Sequence, residues 1–148
     1  MYHEARSDGY AGMYAVTMVV MNRVQDDRYP NTICDVVYQG PKRESWKTKK
    51  TPDPNDAVYY PIRNRCQFSW YCDGRSDAMN DKDAFYQALD IATLVLEISA
   101  SQNNPSALID ITEGSTHYHT YKVFPNWRHD RGMTKIVRIG DHIFYKWN

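Results

Sequence analysis

The chain has 148 residues, enough for one domain with a proper hydrophobic core, and its formal net charge is zero. A neutral chain has no whole-protein field that attracts nucleic acid, and no window approaches the roughly 18 apolar residues of a membrane span. We therefore expect neither nucleic-acid binding nor membrane insertion. The 12 tyrosines and 4 tryptophans suit a groove for sugars, peptides or bases, because each combines an apolar face with a polar group.

Two helical segments are predicted at the start of the chain. Residues 2–6 form a short helical turn that carries Glu4. Residues 13–24 are apolar on nearly every side, with valine and methionine at helical spacing, which predicts a buried helix.

Asp8 lies between these two segments, four residues after Glu4. On one continuous helix the two carboxylates would share a face at roughly 5–6 Å between Cβ atoms, which resembles a retaining pair of catalytic carboxylates. Ser7 and Gly9 favour a turn instead. We therefore expect Asp8 to cap the buried helix.

The middle of the chain is more polar. Residues 31–39 predict either a brief helix or an edge strand. Residues 40–65 carry seven basic against three acidic residues and several prolines, which indicates a basic loop insertion, with a short hairpin as an option. In residues 67–74, QFSWYCDG, amide, hydroxyl and aromatic groups alternate, which suits a sugar-binding edge. The alternative is a core strand.

The last part of the chain predicts one more helix and a small β region. Residues 83–100 form a second buried helix. Segments 116–124 and 135–147 read as short strands, with Gly140-Asp141 as a turn. We thus expect a single α+β domain over residues 1–148, with two buried helices and a small β region. The helix face expected to point inward holds Phe85, Ala88, Leu89, Ala92, Val95, Leu96 and Ser99.

Cysteine and histidine leave two questions open. The three cysteines Cys34, Cys66 and Cys72 allow at most one disulfide, and a bridge from Cys34 to either of the others is one option. His117 and His119 would share a strand face and make a metal pair if a third ligand joined them.

Many short motifs in order resemble one family, the SleB-type cell wall hydrolases (the catalytic domain of spore-cortex-lytic enzymes). The similarity covers nearly the whole chain. Its motifs are YHEARSDGYAGMYAVTMVVMNRV at 2–24, YPNT at 29–32, CDVVY at 34–38, QFSW at 67–70, CDG at 72–74, THYH at 116–119, Val123, Pro125 and Trp127, and IG-x-HIFY at 139–145.

The resemblance implies a lysozyme-like α+β fold and a lytic transglycosylase that cuts the bond between N-acetylmuramic acid and N-acetylglucosamine in peptidoglycan glycan strands. The product is a 1,6-anhydromuropeptide. The glutamate of the E-A-R motif maps onto Glu4, as the single acid/base, with no cofactor and no metal. We expect a monomer. Residue type and motif position suggest that the glycan is held by Gln67, Ser69, Trp70, Tyr118, His119 and Trp127.

Other functions stay open at this point. A muramidase would hydrolyse the same bond with Glu4 and Asp8. A metal-dependent wall amidase would use His117 and His119, and a non-catalytic module would bind glycan through the basic loop. No signal-peptide pattern is visible. For an enzyme of the bacterial cell wall, this suggests a phage-encoded protein, released at lysis or carried on the virion.

Overall fold

Helices and short antiparallel strands make up the fold, which confirms the α+β class. The protein is seen in a computed structural model that describes residues 1–50, 53–101 and 108–148. Within these ranges, the α-helices are α1 (Tyr2–Ala5), α2 (Gly9–Val24), α3 (Ile33–Val37) and α4 (Lys82–Ala100). The strands are β1 (Lys42–Glu44), β2 (Tyr59–Pro61), β3 (His117–Thr120), β4 (Met133–Ile139) and β5 (His142–Trp147).

Helix α2 is the centre of the core, as its apolar sequence predicts. Met13, Val16 and Val19 are completely buried, and helices α1, α3 and α4 all pack against it. A 3-10 turn, Arg6–Asp8, separates α1 from α2. The segment at 31–39 takes the helical option as α3, because the Thr32 side chain accepts a hydrogen bond from the Asp35 backbone N–H and caps the helix.

Helix α4 has the predicted length but turns a narrower face inward. Its buried residues are Ala84, Ala88, Ile91 and Val95, where the small alanines allow close approach to α2. Helix α4 therefore packs into the core by one narrow stripe, and the predicted inward face is too wide. Phe85, Leu89 and Leu96 were expected to point inward and are instead 37%, 50% and 51% exposed.

The three-stranded sheet has the order β3–β5–β4, with both pairs antiparallel. Its register places Tyr118 opposite Phe144 and His119 opposite Ile143. Strand β3 ends at Thr120 because the chain turns there, so the prediction of a strand to residue 124 is too long. The turn between β4 and β5 is at Gly140, whose φ of +57° favours glycine, as predicted.

The basic segment contains a hairpin in which β1 and β2 pair antiparallel. Just after it, the 3-10 turn Ser69–Cys72 folds the chain back and brings the Cα atoms of Cys66 and Cys72 within 6.1 Å. These two cysteines form the disulfide, and Cys34 is exposed and free, so of the pairings left open by the sequence the one from Cys34 does not occur. Among the described helices, none is long and apolar enough to cross a membrane.

Candidate active site

Glu4 is held in place by a residue from the far end of the chain. The Glu4 Oε2 atom accepts a hydrogen bond of 2.9 Å from the Tyr118 hydroxyl, across 114 positions of sequence. Burial, and then the charge and hydrogen bond of Glu4, raise the pKa of Tyr118 well above its ordinary value. The Tyr118 hydroxyl therefore stays protonated and serves as a fixed donor to the carboxylate.

The short helix α1 that carries Glu4 is fixed by its first residue. Tyr2 is buried, and its hydroxyl accepts a 3.0 Å hydrogen bond from the Asp81 backbone N–H at the start of α4. The neighbouring His3 ring stacks on Trp70 with 5.2 Å between ring centroids. A tertiary frame therefore holds a helix that is too short to be stable alone.

A polar cavity of about 550 Å³ lies beside this frame. Ser69 and Trp70 line it together with His3 and Arg6, the residues on either side of the Glu4–Ala5 pair. Its size is within the range of small-ligand sites. The alternation expected at 67–74 is not that of a strand, because Ser69 and Trp70 belong to a 3-10 turn and only Phe68 and Cys72 are buried.

Arg23 is a buried cation that the sequence analysis did not single out. Its side chain is 2% exposed at the C-terminal end of α2, and its Nε donates a 2.7 Å hydrogen bond to the Thr116 carbonyl. Burial lowers the pKa of Arg23, while the nearby Tyr29, Tyr118 and Glu4 favour its charged form. An arginine inside an otherwise apolar helix was the signal that could have pointed to it.

Gln67 is the contact of Arg23 on the exposed side. With its amide oxygen turned to the arginine, Gln67 accepts from Arg23 Nη1 and Nη2, both at 3.3 Å. Gln67 therefore contacts a buried cation whose charged form Glu4 and Tyr118 favour. Of the predicted residues, Tyr118 contacts Glu4 itself, Ser69 and Trp70 line the cavity next to helix α1, and Gln67 contacts Arg23.

Asp8 does not cap α2 with its side chain. It occupies the N-cap position, but its Oδ2 atom accepts two other hydrogen bonds. One comes from His142 Nδ1 at 2.6 Å and the other from the Asp141 backbone N–H at 3.1 Å. The Asp8 and His142 side chains are 4% and 5% exposed. The expectation of a capping bond is therefore wrong, since a buried imidazole competes for the carboxylate.

The packing around Asp8 also weighs against a pair of catalytic carboxylates. Helix α1 ends at Ala5, so Glu4 and Asp8 do not share a helical face. A Cβ atom on Gly12 would lie 2.2 Å from the Asp8 Cβ, and one on Gly140 would lie 2.6 Å from its Cγ. The two glycines make room for the Asp8 carboxylate, which is hydrogen-bonded to His142.

His119 and Trp127 lie on the other face of β3 from Tyr118. His119 is buried. Its Nδ1 atom lies 2.8 Å from the Thr120 carbonyl oxygen, and its Nε2 atom lies 3.0 Å from the Tyr145 hydroxyl. The Trp127 ring packs edge-on against Tyr145. Successive strand residues point to opposite faces. The structure therefore does not bring His119 and Trp127 to Glu4, and we propose no substrate contact for them.

His117 and His119 share a strand face as predicted, yet a metal site needs more. In the part of the chain that the structure describes, no group of three or more His, Cys, Asp and Glu side chains could hold a metal ion. The pair therefore has no third ligand there, and the amidase alternative has no observation to favour it.

Comparisons with known proteins identify the family and the fold. The Cell Wall Hydrolase family matches residues 7–145, a stretch that begins after Glu4. The catalytic domain of the germination-specific lytic transglycosylase SleB from Bacillus anthracis is 22% identical, with a TM-score of 0.59 over 98% of this chain and 86% of that one. The catalytic domain of SleB from Bacillus cereus is 22% identical, with a TM-score of 0.52 over 93% and 76%. No curated protein matches.

Proposed function

The chain belongs to the cell wall hydrolase family and is a peptidoglycan-cleaving enzyme, and from that premise we propose that it is a lytic transglycosylase with Glu4 as its single acid/base. The observation that carries the proposal is the 2.9 Å bond from Tyr118 to Glu4 beside a polar cavity. Asp8, the other acid of the same segment, is occupied by His142. One carboxylate suffices for transglycosylation, whereas the usual hydrolytic schemes use two.

In the proposed reaction, the protonated Glu4 donates its proton to the oxygen that joins C1 of N-acetylmuramic acid to N-acetylglucosamine. The C1–O bond breaks, the glucosamine end leaves as an alcohol, and an oxocarbenium-like state remains. The Glu4 carboxylate then removes the proton of the C6 hydroxyl, whose oxygen closes on C1. The ring product is a 1,6-anhydro sugar, no water is consumed, and Glu4 ends protonated, as it began.

Tyr118 and the cavity residues have distinct parts in this proposal. The Tyr118 hydroxyl orients Oε2 of Glu4 and stabilises its ionised form after the first proton transfer, since a donor hydrogen-bonds a carboxylate better than a carboxylic acid. Ser69 and Trp70 line the adjoining cavity and would hold the glycan through a hydroxyl and an aromatic face.

Mass spectrometry of digested peptidoglycan tests the reaction. We expect the wild type to release anhydromuropeptides, lighter by one water than hydrolysis products, and Glu4→Gln to release none. Glu97→Gln is the matched control, because Glu97 is an exposed glutamate on α4, outside the site.

Each other outcome corrects a different part. Reducing-end products from the wild type would mean hydrolysis and would reopen the search for a second carboxylate. Anhydro products from a folded Glu4→Gln would remove Glu4 from the mechanism. Unchanged glycan strands with every variant would overturn glycosidic cleavage itself.

A further inference from the structure

The β1–β2 hairpin exposes aromatic rings on a part of the surface that the proposed reaction does not use. Its strands pair with each other and not with the three-stranded sheet. All residues of β1 are exposed, and so are Tyr59 and Tyr60 of β2. Trp46, which follows β1, is 64% exposed. One exposed ring is ordinary, whereas several on one short hairpin form a patch with stacking faces for a ligand.

A cavity of about 390 Å³ lies on this hairpin, and we call it the hairpin cavity. It is lined by Arg43, Glu44, Ser45, Trp46, Lys47 and Tyr60. Arg43 lies opposite Tyr60 in the strand pairing, so a cation and an aromatic ring are neighbours across the hairpin. The hairpin cavity shares no lining residue with the polar cavity next to helix α1. It is therefore a separate concave surface of small-ligand size.

The positive charges of the hairpin cavity are not neutralised by ion pairs. In the described ranges, neither Arg43 nor Lys47 forms an ion pair, and the one acid of the cavity, Glu44, forms none either. Lys50 adds a further cation, with its Nζ atom 4.6 Å from the centre of the Trp46 ring. Cations thus outnumber the single carboxylate and lie beside exposed aromatic faces. A carbohydrate that carries negative charge fits both features.

We propose that the β1–β2 hairpin is a second, non-catalytic binding site for the peptidoglycan strand. Trp46 and Tyr60 stack on sugar rings, and Arg43 and Lys47 bind carboxylates of the stem peptides. The inference rests on the proposed function, because the ligand is the polymer that the enzyme cleaves.

The chemistry of the polymer is the reason for this choice of ligand. Each substituted muramic acid carries a short peptide with free carboxylates, so sugar faces and negative charges recur along the same strand. A polymer of alditol phosphates offers negative charge without sugar rings. Such a polymer would contact the cations of the hairpin cavity and make no use of Trp46 and Tyr60, so peptidoglycan fits the cavity better.

A second site should matter most on intact sacculi. Binding at the hairpin raises the effective concentration of the strand at the catalytic site, provided that the substrate reaches both sites at once. A short soluble glycan fragment fills one site at a time, because the two cavities are lined by different residues. We therefore expect the hairpin to increase cleavage of sacculi and to leave cleavage of short fragments nearly unchanged.

The first test measures the Kd for sacculi stripped of phosphodiester polymers, by sedimentation in the Glu4→Gln background. We expect Trp46→Ala and Lys47→Glu each to raise the Kd by about 5-fold or more, as central residues of an interface do. The matched controls are Tyr86→Ala on α4 and Lys135→Glu on β4, which are exposed and lie outside the hairpin. Both controls should stay within about 2-fold of the wild-type Kd. Added salt should weaken binding less steeply for Lys47→Glu than for the unaltered hairpin.

The second test compares kcat/KM on sacculi and on short soluble fragments, with Glu4 present. Trp46→Ala should lower kcat/KM on sacculi by about 5-fold and leave it within about 2-fold on the fragments. A general loss of folded protein would lower both values together. The split between the two substrates is therefore specific to a second binding site.

The outcomes separate this inference from the proposed function. Equal sacculus binding with and without the hairpin substitutions would overturn the second site and leave the reaction standing. A loss seen only with Lys47→Glu, and only on sacculi that keep their phosphodiester polymers, would assign the hairpin to those polymers and overturn peptidoglycan as its ligand. Hairpin-dependent binding by an enzyme that releases no anhydro products would overturn the proposed function and support the second site.

Discussion

Replacing Asp8 by alanine should destabilise the protein more than any exposed acid-to-alanine change. The Asp8 carboxylate accepts from the His142 ring and from the Asp141 backbone N–H, and both side chains of the pair are at most 5% exposed. The alanine variant leaves two donors buried without an acceptor. Water cannot readily replace the carboxylate, because Gly12 and Gly140 close tightly around it.

The magnitude follows from those two donors. An unsatisfied buried donor costs about 1–3 kcal/mol, so two of them cost about 2–6 kcal/mol, a range that contains the roughly 3–5 kcal/mol measured for broken buried pairs. A chain of this length loses about 2–4 °C in Tm for each kcal/mol, so a loss of about 3–5 kcal/mol lowers the Tm by roughly 6–20 °C. Asp8→Asn keeps one acceptor oxygen and should lose about half as much.

Urea unfolding, followed by circular dichroism and tryptophan fluorescence, measures the change. Asp90→Ala is the control, because Asp90 is exposed on α4 and its removal should stay within about 0.5 kcal/mol. A loss below about 1 kcal/mol for Asp8→Ala would refute the reasoning, since the two donors would then be satisfied some other way. The activity should fall as well, because the Asp8–His142 bond ties the segment after Glu4 to strand β5.

Two further predictions concern strand β3. Tyr118→Phe keeps the ring contact with Phe144 but removes the donor to Glu4, so release of anhydro products should slow by about 10- to 100-fold at nearly unchanged Tm. Burial, followed by the charges of Arg23 and Arg28, lowers the pKa of His117 from 6.5 to about 4. Stability that is present above pH 6.5 should therefore be lost as the pH falls towards 4. For a half-buried ring we expect a loss of about 1–2 kcal/mol in the free energy of unfolding. Urea titrations should show a flatter profile for His117→Gln, whereas the exposed control His129→Gln should keep the wild-type slope; identical profiles for all three proteins would contradict the assignment.

The sign for His117 follows from which state holds the proton. Between pH 6.5 and 4 the unfolded chain binds a proton at this histidine and the folded protein does not. Falling pH therefore favours unfolding through that window, and the effect levels off below pH 4.

Local sequence signals predicted the elements that local physics determines. Helix α2 is apolar on nearly every side, which predicts a buried helix, and the Gly140 turn joins β4 to β5 as expected. The inward face of helix α4 was harder to predict, because the apolar residues of this helix cover more of its surface than the neighbouring elements bury. Periodicity gives the amphipathic stripe of such a helix, while its partners determine which edge of the stripe is inside.

The candidate site was only partly predictable, because its bonds join residues that are far apart in sequence. Glu4 and Tyr118 were each singled out by motif, yet nothing local shows that they touch. Asp8 had a good local role as a helix cap, and the competing partner is His142, 134 positions away. A local rule fails here because the Asp8 carboxylate accepts from His142 and Asp141 and not from the first turn of α2.

The buried cation Arg23 is stabilised without a carboxylate partner among the described residues. Burying Arg23 costs free energy, and the structure offsets this with the Thr116 carbonyl, two aromatic rings and the Gln67 oxygen instead of a carboxylate. A carboxylate partner would neutralise the charge locally, whereas a neutral amide leaves the field of the cation acting on Glu4 and Tyr118. Glu4 and Tyr118 favour the charged form of Arg23 in return, so the buried cation and the proposed acid/base are linked electrostatically although no ion pair joins them among the described residues.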